Sequence, residues 1–186
     1  IGFLMVVLSW AGMAQALPST PCADLYPGIV GNVSPNDGCE IGTANNDQPA
    51  PTQVNADNMF DHSDWEFLSE PFNEGVWSDM DWTGDALSGT WTPPSSLWDM
   101  WEDVMVVFKG GNGSDPDNYV GYLFESYAAL ITYLTPFMNQ NEQDAEISHI
   151  GIYVRGPRTS VPEPGTLTLL GLGLVGLGLV RRRRGT

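Results

Sequence analysis

The chain has 186 residues, and setting aside a presequence and a tail leaves roughly 140 for globular structure, enough for one domain with a real core and hardly for two. Its 23 acids face only 7 Lys and Arg; between Leu17 and Ser160 the balance is 22 acids against Lys109, Arg155 and Arg158, a formal charge of about −19. Such a body excludes nucleic acid as a partner, because binding it requires cations that displace phosphate counterions.

Few lysines, 21 Gly, seven Trp and abundant Asn and Asp describe a turn-rich β protein. Gly and Asx supply turns, and aromatics fill pleated faces. The expected fold is mainly β: a single antiparallel β-sandwich, jelly-roll-like, over residues 17–160, with a signal helix before it and an apolar helix after it.

In chain order, Phe3 to Leu8 form an unbroken apolar run and Ala14-Gln15-Ala16 gives the small-x-small pattern that a signal peptidase accepts. Residues 1–16 therefore read as a signal peptide truncated at its start, cleaved after Ala16. Cys22 and Cys39 follow, and in an exported chain they are expected to form a disulfide. The stretch from Val30 to Asn58 reads as loose.

Candidate strands are Trp65 to Leu68, Ser88 to Thr92, Val104 to Lys109, Tyr119 to Glu125 and Ile147 to Val154, each bounded by Gly, Pro, Asn or Asp. Trp98 to Trp101 reads as one helical turn after Pro93-Pro94. In the last strand Ile150, Ile152 and Val154 share one face, while Ile147, His149, Gly151 and Tyr153 share the other. Residues 126–135 fit two patterns. Tyr127, Leu130, Ile131 and Leu134 have helical spacing, yet the Tyr, Ile and Thr content suits a strand.

Several residues are candidates for chemistry. Asp79, Asp81, Thr83 and Asp85, with Gly84 at the sixth position, place oxygens at alternate positions as a calcium loop does, although the twelfth position is Thr90 and not Glu. A structural Ca2+ is the one cofactor this suggests; Asp57, Asp61, Asp64 and Glu66 form a second acidic group. Trp77, Trp82, Trp98 and Trp101 are candidate platforms for stacking sugar rings, if exposed. Ser148 and His149, adjacent in a strand, are expected to point to opposite faces and form no dyad. The chain is not expected to be an enzyme.

The C-terminal end, residues 161–186, holds Pro162-Glu163-Pro164, an uncharged span over 166–180, and Arg181, Arg182, Arg183 and Arg184. Fifteen helical residues rise about 22 Å, short of a hydrocarbon core of about 30 Å. Glycines 171, 173, 176 and 178 weaken that helix further. The arginines stop transfer on the cytoplasmic side of the inner membrane and leave the body outside.

This tail resembles the PEP-CTERM sorting signal of Gram-negative bacteria. The resemblance implies recognition of the tripeptide by an exosortase, a membrane-embedded cysteine transpeptidase, a transient anchor in the inner membrane, and delivery to the cell surface or extracellular matrix. Gly89-Thr90-Trp91, Val106 to Asn112, Gly121 to Phe124 and Ile147 to Ile150 are also similar, in order, to the ectodomain common among small PEP-CTERM proteins. The stretch from Tyr127 to Asn141 lacks the second Gly-Thr-Trp usual there. The function expected from all this is a structural or adhesive one. A carbohydrate-binding module for extracellular polysaccharide, calcium-dependent or not, is the alternative, and a hydrolase the third.

Overall fold

The computed structural model describes residues 19–43, 51–73, 76–77, 81–111 and 113–158, with backbone only at 51, 73 and 76–77. The chain divides into two compact units, Ile1–Gly156 and Pro157–Thr186, and nearly all described residues belong to the first. The expected signal segment 1–16 and apolar span 166–180 lie outside the described residues. Among the described residues no helix is long and apolar enough to cross a membrane.

The elements are β1 (Thr20–Pro21), α1 (Cys22–Leu25), β2 (Val33–Ser34), β3 (Gly38–Ile41), α2 (Pro51–Ala56), β4 (Glu66–Asn73), β5 (Val76–Trp77), β6 (Trp82–Gly84), β7 (Ser88–Trp91), α3 (Ser95–Met100), β8 (Trp101–Gly110), β9 (Val120–Phe124), β10 (Ile131–Leu134) and β11 (Ile147–Pro157). They build two antiparallel sheets. The larger has the order β1-β3-β9-β8-β11-β4-β5 and the smaller β2-β10-β7-β6.

One apolar cluster lies between the sheets. Val104, Val106 and Phe108 of β8, Tyr122 and Phe124 of β9, and Ile150, Ile152 and Val154 of β11 meet Val33, Trp82, Trp91, Ile131 and Tyr133 of the smaller sheet. Phe108 and Tyr133 make ring contact across the gap, with centroids 5.8 Å apart. On the opposite face of the larger sheet, Met105, Val107, Leu123 and Tyr153 form a second cluster with Val54, Met59 and Trp65. Strands covered on both faces need apolar residues at every position. That is why Val104 to Phe108 reads as a continuous apolar run rather than an alternating one. Gly121 fits the same layering, since a Cβ there would come within 2.6 Å of the Met59 methyl.

Three expectations change. The segment 126–135 contains a strand, with Ile131 and Tyr133 buried and Thr132 and Leu134 exposed. Tyr127 and Leu130, the other members of the helical pattern, face solvent, so period two wins over period 3.6 once Thr132 and Thr90 pair across strands. Ile147 packs in the cluster between the sheets with Ile150, instead of sharing a face with Tyr153. The Ile147 amide donates to the Ala86 carbonyl at 2.9 Å, which ties the start of that strand to the loop between β6 and β7. The stretch from Val30 to Asn58 carries β2, β3 and α2, held by the disulfide and by the hydrogen bonds of Asp57.

Candidate functional site

The calcium pattern is not assembled among the described residues. Asp79 lies outside the described residues. Asp81 and Asp85 are exposed, at the two ends of β6. Asp85 Oδ1 accepts the Leu87 and Ser88 amides at 2.8 and 2.9 Å, which holds its carboxyl below the usual range. Thr83 Oγ1 meets Thr90 Oγ1 at 2.7 Å across the strand pair. Gly84, at φ +124°, makes the turn that closes this hairpin. The residues serve a hairpin, and among the described residues no group of three His, Cys, Asp or Glu is placed to hold a metal ion.

The second acidic group separates as well. Asp57 is fully buried, and its carboxylate accepts from the Thr43 amide (2.8 Å), the Thr43 hydroxyl (2.6 Å), the Gln53 amide (2.7 Å) and the Tyr119 phenol. Its carbonyl receives the Ser19 amide at 2.8 Å. Asp64 pairs with Arg155 at 3.1 Å, and Arg155 also holds Asp103. Charge-assisted hydrogen bonds of this kind are strong when desolvated.

The tryptophans are mostly core. Trp82 is 8 % exposed and Trp98 5 %. Trp82 stacks on Trp91 at 5.0 Å with planes 8° apart, and Trp98 meets Phe124 edge-on. Neither offers an open face to a sugar, which corrects the stacking platform expected of them; a narrow two-sheet core needs large flat rings to fill it. Trp101 is half-buried at the start of β8. The side chain of Trp77 lies outside the described residues.

Cys22 and Cys39 form the disulfide, with Cα atoms 5.4 Å apart. It joins α1 to β3 at the edge of the core between the sheets.

Ser148 and His149 do meet, contrary to the expectation that alternate strand positions keep them apart. Ser148 Oγ lies 3.0 Å from His149 Nδ1 and 3.0 Å from each of the Lys109 and Gly110 carbonyls. Its hydroxyl sits beside the backbone of β8, near the plane of the sheet, where a neighbouring imidazole reaches it. Glu70 Oε1 is 4.0 Å from Nε2. A hydroxyl that donates to a carbonyl must accept from the imidazole, so Nδ1 carries the hydrogen. A nucleophilic serine needs the reverse polarity, with the imidazole accepting.

Pro162, Glu163, Pro164 and the four arginines lie outside the described residues. Residues 160–184 match the family model of the PEP-CTERM protein-sorting motif. The chain thus carries the motif that exosortases recognise, which goes with export and membrane-anchored sorting. No curated protein and no solved structure matches the chain significantly.

Proposed function

We propose that this chain, a carrier of the PEP-CTERM protein-sorting motif, is an exosortase substrate whose β-sandwich ectodomain is delivered to the cell surface or an extracellular polysaccharide matrix, where its role is structural or adhesive and not catalytic. The match at 160–184 carries the reading. Two prolines around one carboxylate keep the backbone extended at the membrane surface, a form a transpeptidase takes as a strand. The apolar span behind them is short and glycine-rich, suited to holding the protein until it is cut.

The ectodomain supports the same destination. A disulfide belongs to an oxidising compartment, and a strongly acidic surface stays solvated outside the cell. The donor role of the Ser148 hydroxyl favours a non-catalytic body.

The test is the fate of two variants, Glu163→Gln and a deletion of residues 181–184, followed by fractionation and immunoblotting. Both are expected to accumulate as an uncleaved form in the inner membrane. Release of both at the normal level would overturn the proposal. A second reading, in which the ectodomain holds polysaccharide directly, is favoured by a cleft at one end of the sheets.

A further inference from the structure

A cleft of about 200 Å³ opens between the turn that follows α1 and the segment after β10. Its floor is apolar, made by Ile29 and Phe137, both buried. Tyr26 forms one wall, and Met138 and Asp144 belong to the other.

The rim has a regular geometry. Asp115 pairs antiparallel with Met138, and Met138 pairs in turn with Asp144. Residues directly opposed in a ladder project to the same side, so Asp115, Met138 and Asp144 stand in one row. At the usual strand spacing the backbones of Asp115 and Asp144 are about 10 Å apart, with that of Met138 between them. The Tyr26 phenol donates to Asp115 Oδ1, which raises the phenol's own pKa and fixes the ring beside the row.

The polar chemistry of the lining is one-sided. The Asn32 side-chain amide donates to the Thr135 carbonyl at 2.8 Å and the Thr135 hydroxyl to the Ala145 carbonyl at 2.6 Å, so one amide hydrogen and the hydroxyl hydrogen are engaged within the protein. Among the described residues no Lys or Arg lines the cleft. Carboxylates accept hydrogen bonds and donate none. A fitting ligand therefore brings donors, carries no negative charge, and presents a compact apolar face to the tyrosine ring and methionine. A body with 22 acids and three bases attracts cations from a distance, and a tyrosine face with flanking carboxylates favours an ammonium over a hydroxyl.

We infer that the cleft lined by Tyr26, Met138 and Asp144, with Asp115 bonded to the Tyr26 phenol, binds one amino-sugar residue of an extracellular polysaccharide, its pyranose ring over Met138 and its ammonium on Asp144. This deepens the polysaccharide reading of the ectodomain and rests on it.

The experiment is calorimetric titration of the detergent-solubilised full chain with a glucosamine tetramer, its N-acetylated counterpart and a galacturonate tetramer. Asp144 is exposed, so Asp144→Asn leaves the fold intact. The control is Asp99→Asn, an equal charge change at an exposed site outside the cleft. The glucosamine tetramer is expected to bind at least tenfold more tightly than the other two, and Asp144→Asn to weaken it at least tenfold with Asp99→Asn unchanged. Equal weakening by both substitutions would reduce the effect to general charge attraction and overturn the inference, as would equal binding of the N-acetylated tetramer or no binding at all. Wild-type association with extracted polysaccharide that survives Asp144→Asn would remove the cleft and leave the matrix role; no association in the wild type would remove both.

Discussion

The two faces of the larger sheet are covered in different ways. Toward the smaller sheet, the cover is a second layer of strands, and contact is made by rings and branched aliphatics over a broad area. Toward α2, the cover is one short helix, a 3-10 turn at Met59–Asp61 and the loop into β4. A single helical turn and a half cannot bury enough surface to hold itself down. Asp57 makes up the difference, since one carboxylate gathers donors from Thr43, Gln53 and Tyr119. Two further bonds fix the Asn55 side chain to the Trp65 backbone, and the Trp65 indole donates to the Met59 carbonyl at 3.0 Å. One face is held by area and the other by a polar hub.

The largest test of that contrast is Asp57→Ala. It strands the buried Tyr119 phenol, at a cost of about 1–3 kcal/mol, and frees the less covered donors of Thr43 and Gln53, so a loss of roughly 4 kcal/mol is expected in urea denaturation. A loss under about 1 kcal/mol would mean that apolar contact alone holds the outer layer. The Cys22→Ser, Cys39→Ser double variant comes next. Freeing a 17-residue separation is expected to lower stability by about 3 kcal/mol, through the unfolded chain and with the sheet contacts unchanged. An effect confined to loosening of α1, with no change in the global midpoint, would place the bond outside the core it borders.

The smallest effect, near its onset, comes from alkaline pH and spans both faces. Burial pushes the phenols of Tyr122 and Tyr133 up on one side and those of Tyr119 and Tyr153 on the other, with Asp57 adding to the shift at Tyr119. Above about pH 10 the unfolded chain releases its tyrosine protons while the folded chain retains them. The folded state then binds more protons, so stability is intact below about pH 10 and falls as pH rises through the elevated values. Phenolate absorbance from the buried four should appear only with unfolding. Titration of all the tyrosines together in the folded protein would contradict the layering.

Strand content was legible because local pattern decides it. The five candidate strands each overlap an observed one, and the run at Val104 to Phe108 carried the mark of two covered faces. What escaped was longer-range. Asp57 looked like one acid among several, since its partners at 43, 53 and 119 are brought together only by folding. The tryptophans looked like ligand platforms because composition cannot tell a filled core from an exposed stack. The Ser148 and His149 contact depends on the carbonyls of β8, 39 residues away for Lys109. The cleft residues Tyr26, Met138 and Asp144 share no spacing at all. The tail is the opposite case: its match at 160–184 rests on the order of residues alone.

One feature of strand order bears on timing. β11 is the last strand of the body, yet it sits inside the larger sheet, between β8 and β4. A chain threaded across a membrane from its N-terminus delivers that strand last, so until then the sheet has a gap at its centre and neither apolar cluster can close. The matched motif begins at residue 160, directly after it. Completion of the fold and arrival of the cleavage signal are thereby made nearly simultaneous, and a chain interrupted before Ile147 would have neither.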